Sequence, residues 1–94
     1  MADDAIANLE AGFREDRAYA MGLAGKKLER AMAALEATNT NEDGGRDELI
    51  DAAADAVWAY MIVREAAGFY DHRGALALFR VPGRVLARVG IVRR

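Results

Sequence analysis

The 94-residue chain has no cysteine and no serine, and only one histidine, one proline and two lysines. The missing cysteine excludes disulfide frameworks, thiolate zinc sites and cysteine nucleophiles. Without serine, the aliphatic hydroxyls reduce to Thr38 and Thr40, where the first helix read below gives way to a loop. A lone histidine excludes a multi-histidine metal site. Long apolar runs are also lacking: the longest, Ala56 to Val63, has eight residues, whereas a bilayer span needs about 20. We therefore expect no enzyme, no cofactor, no metal and no membrane partner.

What is present is apolar and short. Hydrophobic residues make up 53% of the chain, but 21 of them are alanine, which leaves material for one modest core and one domain over residues 1–94. Charged residues reach 30%, too evenly mixed with apolar ones for a disordered chain. The charge is unevenly placed. Residues 1–70 hold seven Lys/Arg against fourteen Asp/Glu, and residues 71–94 hold six Arg against Asp71 alone. A basic tail on an acidic body either folds back on that body or meets an anionic partner. The start, Met-Ala-Asp-Asp, is acidic where a secretory signal is positive, so a cytoplasmic location is expected. The excess of Arg over Lys, with abundant Ala and Gly, suggests a bacterial source.

Periodicity predicts an all-α fold. Ile6, Leu9, Phe13, Ala20, Ala24, Leu28, Ala31 and Leu35 recur at spacings of three and four or their sums, a helical stripe over about Asp3 to Thr38, with Asp3 or Asp4 as cap. Gly22 and Gly25, beside Ala20 and Ala24, make a narrow waist where another helix backbone approaches or the helix kinks; close approach is the favoured reading. Residues 39–46, rich in Asn, Asp and Gly, read as a loop. Asp47 is expected to cap a second helix reaching Tyr70, with Ile50, Ala53, Val57 and Met61 facing inward and Glu48, Asp51 and Asp55 outward. From Val57 to Val63 that helix is apolar on every side, and Trp58 and Ile62 continue the acidic line. A helix apolar all round must be covered all round. The cover is expected from the tail and from a second copy of the chain, giving a four-helix bundle by dimerisation. Val57, Trp58, Met61, Ile62 and Tyr70 are the expected interface, with Trp58 as anchor.

The tail reads as two short helices. One runs through Ala75, Leu76 and Phe79 with Asp71 as cap. Pro82 then opens another, which presents Val85, Leu86 and Val89 inward and stops at Gly90. Residues 75–90 have the outline of a helix-turn-helix. Arg80, Arg84 and Arg88 could contact an anion such as DNA phosphate, although the turn carries Arg80 where glycine is usual. The other reading sets Arg84 and Arg88 against Glu48, Asp51 or Asp55. Gly22-Leu23-Ala24-Gly25-Lys26-Lys27 is not a phosphate loop: Ala20 and Lys27 stand where Gly and Ser/Thr are required, and no strand precedes it. His72 beside Asp71 lacks a nucleophile to activate and reads as a capping or surface residue.

The segments Arg64-Glu65-Ala66-Ala67-Gly68 and Val81-Pro82-Gly83-Arg84-Val85-Leu86-Ala87-Arg88-Val89-Gly90 resemble the carboxy-terminal half of small uncharacterised bacterial helical proteins. The resemblance covers about the last third of the chain. It implies an all-helical fold and carries no activity. The functional expectation is a non-catalytic homodimer that acts by binding other macromolecules. The alternative is a nucleic-acid-associated regulator using residues 75–90.

Overall fold

A computed structural model describes residues 2–38 and 43–90. It contains four helices: α1 (Ala2–Ala37), α2 (Asp43–Ala66), α3 (Arg73–Leu78) and α4 (Gly83–Leu86), with no strand among the described residues. The all-α expectation holds. α1 and α2 form an antiparallel hairpin, and the two short helices lie over it. α1 runs unbroken through Gly22 and Gly25, so the waist is not a kink. What approaches Gly25 is aromatic: Tyr60 Cε2 and Phe79 Cζ lie 3.5 and 3.7 Å from where a Cβ would stand. The favoured close approach of another backbone is thus replaced by two rings.

The second helix differs from expectation at both ends. It begins at Asp43 rather than Asp47, so Asp47 lies within it and is free to serve another residue. It ends at Ala66 because Gly68 takes a left-handed conformation, φ 94°, which is inexpensive for glycine alone. The Gly68 N–H then donates to the Glu65 carbonyl at 3.0 Å and the Phe69 N–H to the Arg64 carbonyl at 2.9 Å, the paired bonds of a Schellman stop. Tyr70 is therefore outside the helix.

The core is small and sits in the half of the hairpin nearer its tip. Leu28, Met32 and Leu35 of α1 meet Ile50, Ala53, Ala54 and Val57 of α2, and Val85 of α4 closes the cluster. These apolar faces leave water together, at about 25 cal/mol per Å² removed. On one side of the hairpin the tail fills the groove between α1 and α2. Leu76, Phe79, Val81 and Val89 pack against the core there, and Phe79 meets Tyr60 edge to face at 5.3 Å. Leu86, expected to face inward, is exposed, and so is Leu78. On the other side no described residue of the tail lines the groove.

Length makes the hairpin lopsided. At 1.5 Å per residue, the 36 residues of α1 reach about 54 Å and the 24 of α2 about 36 Å. Ala67 and Phe69, just past the end of α2, come level with Arg14, Arg17 and Met21. The turns of α1 before Arg14 run past them, and the molecule measures 64 Å along its long axis but 27 Å and 21 Å across.

Candidate interaction surfaces

The overhanging turns of α1 are amphipathic, and their apolar stripe has nothing to pack on. Ile6, Leu9 and Phe13 are 54%, 61% and 58% exposed. They keep the three-and-four spacing of the residues that Ala24, Leu28 and Leu35 place in the core, so the helix carries apolar residues beyond the reach of α2. Isolated exposed apolar side chains are ordinary, but an aligned set on one helix face marks an interaction surface. Next to it lies the open groove of the hairpin, lined by Ala20, Leu23 and Ala24 of α1 and Ala56, Ala59 and Val63 of α2, with Lys27 and Asp55 at one end. Its floor is almost entirely alanine, which lets a third helix come close.

The expected interface on α2 divides. Val57 is completely buried and Met61 half-buried, both against the protomer's own core, so Val57 presents no surface to a partner and Met61 only part of its side chain. The physical reason is that both belong to the inward-facing line of α2, which packs into the hairpin core beside Val85 of α4. Trp58 and Ile62 remain 49% and 47% exposed and Tyr70 is largely exposed. Trp58 is nevertheless held from one side: a Cβ at Gly90 would stand 3.1 Å from its Cζ3. Gly90, at φ 77°, lets the chain turn flat against the indole.

The arginines of the tail have different surroundings. Arg88 reaches back across α2. Its Nη2 donates to Asp47 Oδ1 at 3.1 Å, and its Nη1 donates to Asp51 Oδ1 at 3.1 Å and to the Asp47 carbonyl at 3.3 Å. Hydrogen bonding to Asp47 and then Asp51 raises the Arg88 guanidinium above its ordinary value. Asp51 was an expected partner; Asp47 was expected to be a cap and, lying inside α2, pairs with Arg88 instead. Arg80 and Arg84 are exposed and make no ion pair among the described residues. Arg80 also adopts φ 55°, the left-handed position that ends α3. The Arg80 N–H bonds the Ala77 carbonyl and the Val81 N–H the Leu76 carbonyl, each at 3.1 Å. Arginine thus occupies a glycine-type site.

His72 is not a surface residue. Only 10% of its side chain is exposed, and both ring nitrogens are engaged, Nδ1 with Arg64 Nε at 3.2 Å and Nε2 with Glu65 Oε1 at 3.0 Å. Arg64 also donates to the Asp71 carbonyl at 2.9 Å and lies over the rings of Tyr60 and Phe69, at 5.9 and 5.4 Å from their centroids. This cluster ties the end of α2 to the start of α3. His72 stands at the cap position of α3 without a capping side-chain bond. Asp71, one residue earlier, accepts from the Arg73 N–H at 3.1 Å and from its guanidinium at 3.1 and 2.9 Å. Among the described residues no group of three acidic or histidine side chains could hold a metal, and no helix is long and apolar enough to cross a membrane.

No curated protein and no solved structure matches this chain. A family does, and it spans nearly the whole length rather than the last third. The chain, matched over residues 2–94, belongs to the family of unknown function DUF6665.

Proposed function

We propose that this protein is a non-catalytic helical module that works by macromolecular interaction, as a homodimer. The observation that carries the reading is the aligned exposure of Ile6, Leu9 and Phe13 on turns of α1 that extend beyond α2. A helix whose stability depends on burying one face carries that face into solvent there, and a second copy is the partner always at hand. The non-catalytic part is supported by the absence of serine and cysteine and by the engagement of both nitrogens of His72 in the turn. Trp58 and Ile62, exposed one turn apart on α2, give the dimer a further apolar face for another protein, with Tyr70 exposed beyond the helix. Light scattering at tens of micromolar should give twice the 10.2 kDa chain mass, and Phe13→Asp should halve it. A monomeric parent would remove the reading.

A second reading rests on Arg80 and Arg84, which stand exposed without an ion pair among the described residues at the two ends of the Val81-Pro82-Gly83 link. These two arginines could meet nucleic-acid phosphate, and Arg88 could not without giving up Asp47 and Asp51. A gel shift with duplex DNA that weakens with salt and disappears in Arg84→Glu would favour this reading over the first.

A further inference from the structure

α1 carries two stripes, not one. The first, Ala24, Leu28, Met32 and Leu35, is buried against the hairpin core. The second runs Ile6, Leu9, Phe13, Asp16, Ala20, Leu23 and Lys27, with spacings that alternate strictly between three and four. That alternation is the heptad seam of a helix that packs along another helix. At about 100° per residue, the two stripes lie roughly a quarter turn apart. The seam is on the side away from Gly25 and Met32, where the tail packs. Its four large apolar members, Ile6, Leu9, Phe13 and Leu23, are all exposed. Its later residues, Ala20, Leu23 and Lys27, form one wall of the open groove, whose other wall is Ala56, Ala59 and Val63 of α2.

We infer that this groove receives the first turns of α1 from a second copy of the chain, laid antiparallel along the seam; the inference rests on the homodimer reading and gives it an interface and a register. An antiparallel seam sets the two kinds of heptad position opposite each other, which leaves a few registers one heptad apart. Flanking charge separates them. In one, Ile6 faces Leu23 of the second copy, Leu9 faces Ala20 and Phe13 faces Asp16; Glu10 then lies beside Arg17 of the second copy, and by symmetry the pair occurs twice. A slip in one direction places Glu10 beside its own copy, and a slip in the other places Arg17 beside its own copy. Like charges at such positions oppose association. Size agrees with charge in the chosen register. Leu9 meets the small Ala20 in the groove floor, and Tyr19, 70% exposed, meets Gly12, around which a Cβ would find nothing within 4 Å. Each end of the dimer becomes a three-helix section made of α1, α2 and the partner's overhang. The expected centre of the dimer thereby moves from Trp58 on α2 to Leu9, Phe13 and Leu23 on α1.

The test is charge reversal at exposed residues, followed by sedimentation equilibrium. Glu10→Arg and Arg17→Glu should each weaken the dimer by about tenfold, since each turns two attractive pairs into repulsive ones. The combined Glu10→Arg/Arg17→Glu protein should return to within about threefold of the parent. Because the chain has no cysteine, Leu9→Cys/Ala20→Cys should also oxidise to a covalent dimer. A parent that is monomeric defeats the homodimer reading itself. A dimeric parent with no rescue in the double reversal, or one that survives Phe13→Asp and falls apart with Trp58→Glu, keeps the homodimer and overturns this interface.

Discussion

Arg64 Nε donates a hydrogen bond to Nδ1 of His72 across 3.2 Å, and this fixes the imidazole's tautomer. A guanidinium can only donate, so Nδ1 presents its lone pair and Nε2 carries the proton toward Glu65 Oε1, 3.0 Å away. Arg64 is therefore the hub of the turn between α2 and α3. Arg64→Met, which keeps the stem and loses the donors, should cost about 1–3 kcal/mol in urea unfolding. Arg64→Lys should recover little, because a point charge cannot serve Nδ1 and the Asp71 carbonyl together. Nitrogen NMR should find Nδ1 of His72 unprotonated in the parent, and a protonated Nδ1 would contradict the assignment.

Gly90 has two reasons to be glycine. Its φ is 77°, and a Cβ would press on Trp58. Gly90→Ala should destabilise by about 1–3 kcal/mol and shift the emission of Trp58, the chain's one tryptophan. Gly74→Ala is the control: it lies in α3 with open space around it and should be neutral or stabilise by up to about 1 kcal/mol. Equal effects from the two substitutions would mean that the Trp58 contact is immaterial.

Arg80 is strained where glycine would be relaxed. Arg80→Gly should raise stability by about 1 kcal/mol, and Arg80→Val should lower it by at least as much, since a β-branched residue resists this conformation more. Thermal melts decide, and a destabilising Arg80→Gly would show that the guanidinium matters more than its backbone.

The Asp71 carboxyl is held below its ordinary value of 3.8, first by the Arg73 side chain and then by the Arg73 N–H. A carboxyl with a depressed folded value adds stability that is present above the unfolded value and is lost as pH falls through the folded one. Asp71→Asn should therefore be less stable than the parent at neutral pH and match it once both carry a neutral side chain. A deficit that is the same at every pH would assign the effect to geometry and not to charge.

The sequence disclosed the elements better than their partners. The stripe through Leu28 and Leu35 is the core that its spacing promised. Ile6, Leu9 and Phe13 obey the same spacing yet lie in solvent, because periodicity tells which face is apolar and not how far the neighbouring helix reaches. The end of α2 has a local signal at Gly68, a glycine followed by an apolar residue, but the helical spacing of apolar residues continues past it to Phe69 and Tyr70. The Arg88–Asp51 pairing followed from opposite charge. The Arg88–Asp47 pair is not local either: an acidic residue after Gly44-Gly45-Arg46 has the signature of a helix cap, and only the helix start at Asp43 puts it inside α2. Nothing local announces that Gly25 lies under two rings or that Gly90 meets Trp58, since both contacts join residues remote in the chain.

Arg88 joins the chain to Asp47 and Asp51, 41 and 37 positions away. Closing a loop of that size costs about 3 kcal/mol of chain entropy, and little is gained until the hairpin stands ready to receive the tail. The clasp is thus expected to form after the barrier to folding and to be lost before it on the way back. Arg88→Ala should steepen neither limb of a chevron; it should raise the unfolding limb and leave the folding limb in place, whereas slower folding would put the tail in the nucleus. The lifetime of the folded chain, as distinct from the speed at which it is reached, is then governed at its carboxy-terminal end.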